Sequence, residues 1–134
     1  MLDTSQLRTK QNCMGGILMK LLFMDYPVKD LKESLAFYRD VLGLEEAWRE
    51  GDHTVALKLP GSEVQLMIEN DEIGLTAGAV FLVDSVDQYY EDNKETLKFI
   101  KEPIDIPPGR YAIFQDNSGN LLRILDFTND RYTE

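Results

Sequence analysis

The 134-residue chain has one cysteine, one histidine and one tryptophan, and 14 basic side chains against 24 acidic ones. Each scarcity closes off a class of chemistry. Cys13 alone forms no internal disulfide, which suits a reducing compartment. With no second thiol or histidine near it in sequence, it reads as a thiol without function. The net charge of −10 repels phosphate backbones, so no nucleic-acid partner is expected. It would favour a cationic ligand, although acidity for solubility alone accounts for the same balance. No apolar run reaches membrane-spanning length; Ile17 to Phe23 is far too short, and no membrane partner is expected. Residues 1–16 lack the apolar core of a signal peptide, so the cytoplasm is the expected compartment. His53 stands just after a hairpin turn and reads first as an exposed turn residue.

What is present is an ordinary globular composition, 43% hydrophobic and 28% charged, in a chain of single-domain length. Residues 1–16 are expected to form an N-terminal arm, 17–128 the domain, and 129–134 a tail. Ile17–Tyr26 is an apolar run bounded by Gly16 and Pro27, which predicts a strand buried on both faces. From Asp30 to Leu44 the spacing is helical. Leu31, Leu35, Tyr38 and Leu42 make one stripe, widened by Phe37 and Val41, with Asp30 as N-cap and Gly43 as C-terminal stop. Strands are predicted at 44–50, 54–59 and 63–69, separated by turn residues Gly51-Asp52 and Pro60-Gly61-Ser62.

After a linker, Asn70–Thr76, the order begins again. A strand is predicted over 77–83. A helix capped by Ser85 follows, with Val86, Tyr89, Tyr90 and Leu97 as its stripe. A short strand at 99–102 should end at Pro103, which is expected in loop with Pro107-Pro108-Gly109. Strands at 110–115 and 121–127 are joined by the turn Asp116-Asn117-Ser118-Gly119-Asn120. Val28-Lys29-Asp30 matches Val83-Asp84-Ser85, and Gly61 matches Gly119, so the chain is an internal repeat of residues 17–70 and 76–128. Neither half buries both faces of its sheet alone.

The segment S-L-A-F-Y-R-D-V-L-G-L after an Asp, with V-D-S-V-D and D-N-S-G-N in the second half, resembles the vicinal oxygen chelate superfamily. That superfamily includes glyoxalase I, bleomycin-resistance proteins, extradiol dioxygenases and methylmalonyl-CoA epimerase. The resemblance implies an α+β fold of two paired βαβββ modules, whose curved mixed sheets surround a cleft. In metal-dependent members a divalent ion is held by His, Gln or Glu residues, one on each of four strands. Counting from the caps and turn glycines puts Phe23, Gln65, Gly78 and Arg123 at those positions. These are not a catalytic metal set, so no metal and no cofactor is expected. Strand parity puts Phe23, Asp25, Gln65, Met67 and Arg123 on the cleft side, with Leu22 and Met24 under a helix. Asp25, Glu63 and Glu69 are expected as rim charge.

The ligand-binding residues expected on this reading are Phe23, Gln65, Met67 and Arg123, with Trp48 and Tyr111 as stacking surfaces at the mouth. A buried Arg123 needs a carboxylate partner or an anionic ligand group. The function implied is metal-independent binding of a small molecule by a homodimer. The alternative is a lyase, isomerase or dioxygenase of the glyoxalase type with a divergent site.

Overall fold

The computed structural model describes residues 19–129. The expectations for the arm 1–16, for Cys13 and for 130–134 lie outside the described residues. The described chain forms two compact units, Leu22–Val80 and Phe81 onward, the second including the chain just before Leu22. Each runs strand, helix, strand, strand, strand, and the class is α+β.

In the first unit β1 (Lys20–Pro27) leads into α1 (Leu31–Leu35), a π-helical segment (Ala36–Val41), β2 (Glu46–Glu50), β3 (Thr54–Lys58) and β4 (Gln65–Glu69). Their order across the sheet is β2-β3-β4-β1. β1 lies parallel to β4, and the other neighbours are antiparallel. Asp30 caps α1 as predicted: its Oδ1 accepts the Glu33 N–H at 3.0 Å. Period two sends Leu66 and Ile68 of β4 and Val55 and Leu57 of β3 to the helix side. There they pack with Leu35, Met24, Leu31 and Tyr38.

The predicted helical stripe breaks after Tyr38. The Leu42 N–H bonds the Phe37 carbonyl, five residues back, at 2.9 Å. Each such turn holds an extra residue, so later side chains rotate off the α-helical phase. Val41 and Leu42, expected in the buried stripe, are therefore more than half exposed, and Phe37, expected on its flank, is half exposed as well. Gly43 ends the segment at φ 79°, and the Leu44 N–H closes on the Tyr38 carbonyl at 3.1 Å. β1 also departs from expectation. It is not buried on both faces, since Leu21 and Tyr26 are exposed.

In the second unit β5 (Gly78–Leu82) precedes α2 (Val86–Asn93), β6 (Lys98–Ile106), β7 (Gly109–Gln115) and β8 (Leu121–Leu125). The strand order here is β5-β8-β7-β6. Ser85 Oγ accepts the Gln88 N–H at 3.1 Å, the same cap as in the first unit. Val83, Val86, Ala112, Phe114 and Ile124 form the core under α2, joined by Tyr89, Phe99 and Met19. The repeat shows in the backbone as well. Val28 N–H bonds the Glu69 carbonyl at 2.8 Å and Val83 N–H the Leu125 carbonyl at 2.9 Å.

Pro103 corrects the sequence reading, because it lies inside β6 rather than in a loop. β6 is the last strand in its order, and its register with β7 slips between Lys101 and Ile104. A bulge on an edge strand leaves a position with no ladder N–H to supply, so proline fits there. Pro107 and Pro108 alone make the turn into β7.

Candidate functional site

The face of the first sheet opposite α1 is set by register. Phe23 lies beside Gln65, Asp25 beside Met67, and Pro27 beside Glu69. On the other side of β4, Gln65 faces Lys58, Met67 faces Ala56, and Glu69 faces Thr54. Trp48 is the cross-strand partner of Ala56. Alanine's single methyl leaves room for the indole to reach over β3. Trp48 Nε1 donates to Gln65 Oε1 at 3.0 Å. The Phe23 ring meets the indole edge-on, with centroids 5.6 Å apart. An indole N–H only donates, so it orients the carboxamide: the Gln65 oxygen faces Trp48, and its NH2 is the group left to present. Trp48 remains exposed, and Phe23, Gln65 and Met67 are partly so. Four of the six residues expected to bind ligand thus come together on one face.

At the other end of this face the charges are not on a rim. Asp25 and Glu69 are 1% and 3% exposed, and Glu72 from the following loop is buried with them. One carboxylate oxygen from each of the three lies within 4.8 Å of the others. Glu69 Oε1 accepts the backbone N–H groups of Asp71 (2.8 Å) and Glu72 (2.9 Å), which turns the chain back over the end of β4. Glu63, by contrast, is exposed. Sequence reasoning missed Glu72 because it lies outside any strand. The available signal was an acidic run, Glu69 to Glu72, directly after an apolar strand. His53, half exposed, places Nδ1 at 2.9 Å from Asp71 Oδ2 and 3.0 Å from Thr54 Oγ1. The turn position was expected, and the Asp71 partner was not.

Arg123 and Tyr111 belong to the second unit. Their register with Ile113 and Leu125 puts both on the sheet face opposite α2. Arg123 is fully buried and is not without a partner. Tyr111 is buried under the Lys101 ammonium, 5.6 Å from its ring centroid. It is therefore not an open stacking surface.

The four positions counted as equivalents of metal ligands do not fit a metal. Phe23 offers a ring, Gln65 has its oxygen engaged by Trp48, Gly78 has no side chain, and Arg123 carries a fixed positive charge. No chemistry is assigned to an ion there.

A family model described as the Glyoxalase/Bleomycin resistance protein/Dioxygenase superfamily matches residues 20–124. The uncharacterized protein YraH of Bacillus subtilis (strain 168) is 32% identical over 124 residues, spanning 79% of this chain and 97% of that protein. Among solved structures, methylmalonyl-CoA epimerase from Mycobacterium tuberculosis superposes with a TM-score of 0.60 at 20% identity, over 86% of this chain and 92% of that one. An NAD-dependent benzaldehyde dehydrogenase from Legionella pneumophila superposes with a TM-score of 0.65 at 18% identity, over 79% and 98% of the two chains. At those identities the structures speak for the fold alone.

Proposed function

The chain belongs to the glyoxalase/bleomycin resistance protein/dioxygenase superfamily, and from that premise we propose that it binds a small organic molecule on the first unit's open sheet face. It does so with no metal at the superfamily position and without transforming the ligand. The observation that carries this reading is the oriented Trp48–Gln65 pair. A flat apolar portion of the ligand lies against Trp48 and Phe23, and a carbonyl or carboxylate oxygen accepts from the Gln65 amide. Apolar lining with a few placed polar groups is how small-molecule sites combine affinity with orientation.

Trp48 is the protein's one tryptophan, so its fluorescence reports on this face without labelling. A thermal-shift screen of antibiotics, thiol conjugates and acyl-CoAs supplies candidates. A true ligand changes Trp48 emission saturably and loses at least tenfold in affinity in Gln65→Leu, about 1.4 kcal/mol. A screen in which every melting shift leaves the emission unchanged overturns the reading. The enzymatic alternative, a divergent glyoxalase-type lyase, isomerase or dioxygenase, has one observation in its favour. Buried carboxylates end the same face, and a carboxylate is a competent general base. Turnover of a bound compound, abolished by Asp25→Asn with binding retained, would decide for it.

A further inference from the structure

Presupposing the reading above, we propose that the ligand of the first unit's open face is an organic anion. It is a flat apolar body bearing a carboxylate, which Lys58 and Gln65 receive together. The sheet register sets the side chains that do this in one row. Lys58 of β3 is the cross-strand partner of Gln65 of β4, and Gln65 lies beside Phe23 of β1. Directly paired residues share a face, so the lysine stem, the carboxamide and the ring follow one another about 5 Å apart. The Lys58 N–H bonds the Glu45 carbonyl at 2.8 Å, which puts Glu45 at the other end of the row.

The polar groups of this row differ in what they have left to offer. Trp48 holds the Gln65 oxygen, so the carboxamide keeps its NH2 as a donor. Lys58 Nζ lies 3.2 Å from Glu45 Oε2, and both side chains are more than half exposed. An ion pair so open to water contributes little to stability, so Glu45 is a counter-ion that a ligand can replace. A neutral carbonyl would use the amide alone. A carboxylate has two oxygens, accepts from both donors, and makes the stronger, charge-assisted bond with the ammonium. The exposed Trp48 indole and the Phe23 ring set edge-on to it give the flat body its surface.

The net charge of −10 favours a ligand of the opposite sign, and distance decides between the two. At physiological ionic strength, exposed charges more than about 8 Å apart are largely screened. The ammonium within the row therefore outweighs acidic groups spread over the rest of the chain. Glu46, close in sequence to Trp48, is held by Arg49 through two contacts of 2.8 Å. Glu45 is the competitor that the structure sets against Lys58.

The test uses the full chain labelled with 15N. Its one tryptophan gives one indole N–H resonance, and that N–H is the group bonded to Gln65. trans-Cinnamate and its neutral counterpart trans-cinnamamide are each titrated to about 5 mM, a range that reads weak fragment binding. The expected result is a saturable shift of the indole resonance by both, with cinnamate tighter by roughly fivefold or more. Lys58→Gln should remove that advantage. Glu45→Gln, which frees the ammonium, should tighten cinnamate roughly twofold or more and leave cinnamamide unchanged. Raising NaCl from about 50 to about 500 mM should shrink the advantage of the acid. Both substitutions fall on exposed side chains, so each variant is expected to fold. Cinnamamide binding as tightly as cinnamate, or an advantage that survives Lys58→Gln, overturns the anion assignment while leaving the face a binding site. If neither compound moves the resonance, the reading above falls and this inference with it.

Discussion

Asp126→Asn should be among the most damaging single-atom-scale changes in the second unit. Asp126 is 1% exposed, and both of its oxygens are occupied. Oδ2 accepts the Val86 N–H at 2.7 Å, one of the free donors in the first turn of α2. Oδ1 accepts the Arg110 N–H at 2.9 Å, the Thr128 hydroxyl at 2.7 Å and the Thr128 N–H at 3.3 Å. The carboxylate therefore joins the start of α2, the start of β7 and the chain beyond β8. Every partner is a donor, and an amide has one oxygen. Whichever way Asn is turned, its NH2 faces at least one buried N–H. Losing a charge-assisted bond and leaving a buried donor opposed costs about 2–4 kcal/mol. For a domain of this size that is a melting temperature lower by roughly 6–16 °C. Gly109 is the reason a close fit exists at all. A Cβ there would overlap the Asp126 carboxylate and backbone, so Gly109→Ala should damage the same junction. Differential scanning fluorimetry with urea unfolding measures both. An Asp126→Asn protein melting within 2 °C of wild type would refute the reasoning.

Asp116 makes the pH prediction. The Asn120 amide, then the N–H groups of Ser118 and Asn120, hold its carboxyl below the usual aspartate value. A lowered folded-state pKa adds stability that is complete above the unfolded value and is lost as pH falls through the folded one. Wild type should therefore exceed Asp116→Asn in stability at neutral pH, the gap closing in the acid range; a gap constant from pH 7 to pH 2 would contradict this. Arg123→Met should lower the melting temperature, by an amount corresponding to about 3–5 kcal/mol, because breaking a buried, engaged cation leaves its partners uncompensated. Unchanged melting with lost ligand affinity would instead make Arg123 a recognition residue. Sedimentation should show a homodimer at tens of micromolar, since β2 and β6 end their strand orders; a 15.4 kDa species alone would refute it.

Much of the architecture was legible because its determinants are local. Asp30 and Ser85 cap their helices through N–H groups three residues away, an interaction a chain segment carries with it. Gly43 adopts the left-handed conformation expected of a helix stop, and Gly61 and Gly119, placed at turns by the sequence, also have positive φ. Alternation separated Met24, which packs under α1, from Phe23 and Asp25 on the other face of β1. These readings depend on backbone geometry of period two, on caps and on turn chemistry, none of which waits for a distant partner.

Other features depend on groups far apart in sequence. The π-helical segment changes which side chains are covered, and nothing in SLAFYRDVLGL marks the extra residue per turn. Pro103 in β6 follows from a bulge and an edge position, which only strand order defines. Trp48 meets Gln65 because Ala56, on the strand between them, is small. Asp25 and Glu69 looked like surface charge because carboxylates usually remain in water, yet both are buried in the folded chain. The sequence alone determined the repeat, the order of elements, the caps and the alternation of faces along β1 and β4, since bonded neighbours and short hydrogen bonds decide those. Tertiary structure decided which polar groups lose water and which distant side chains meet, since both depend on the closing of loops and strands that no local stretch encodes.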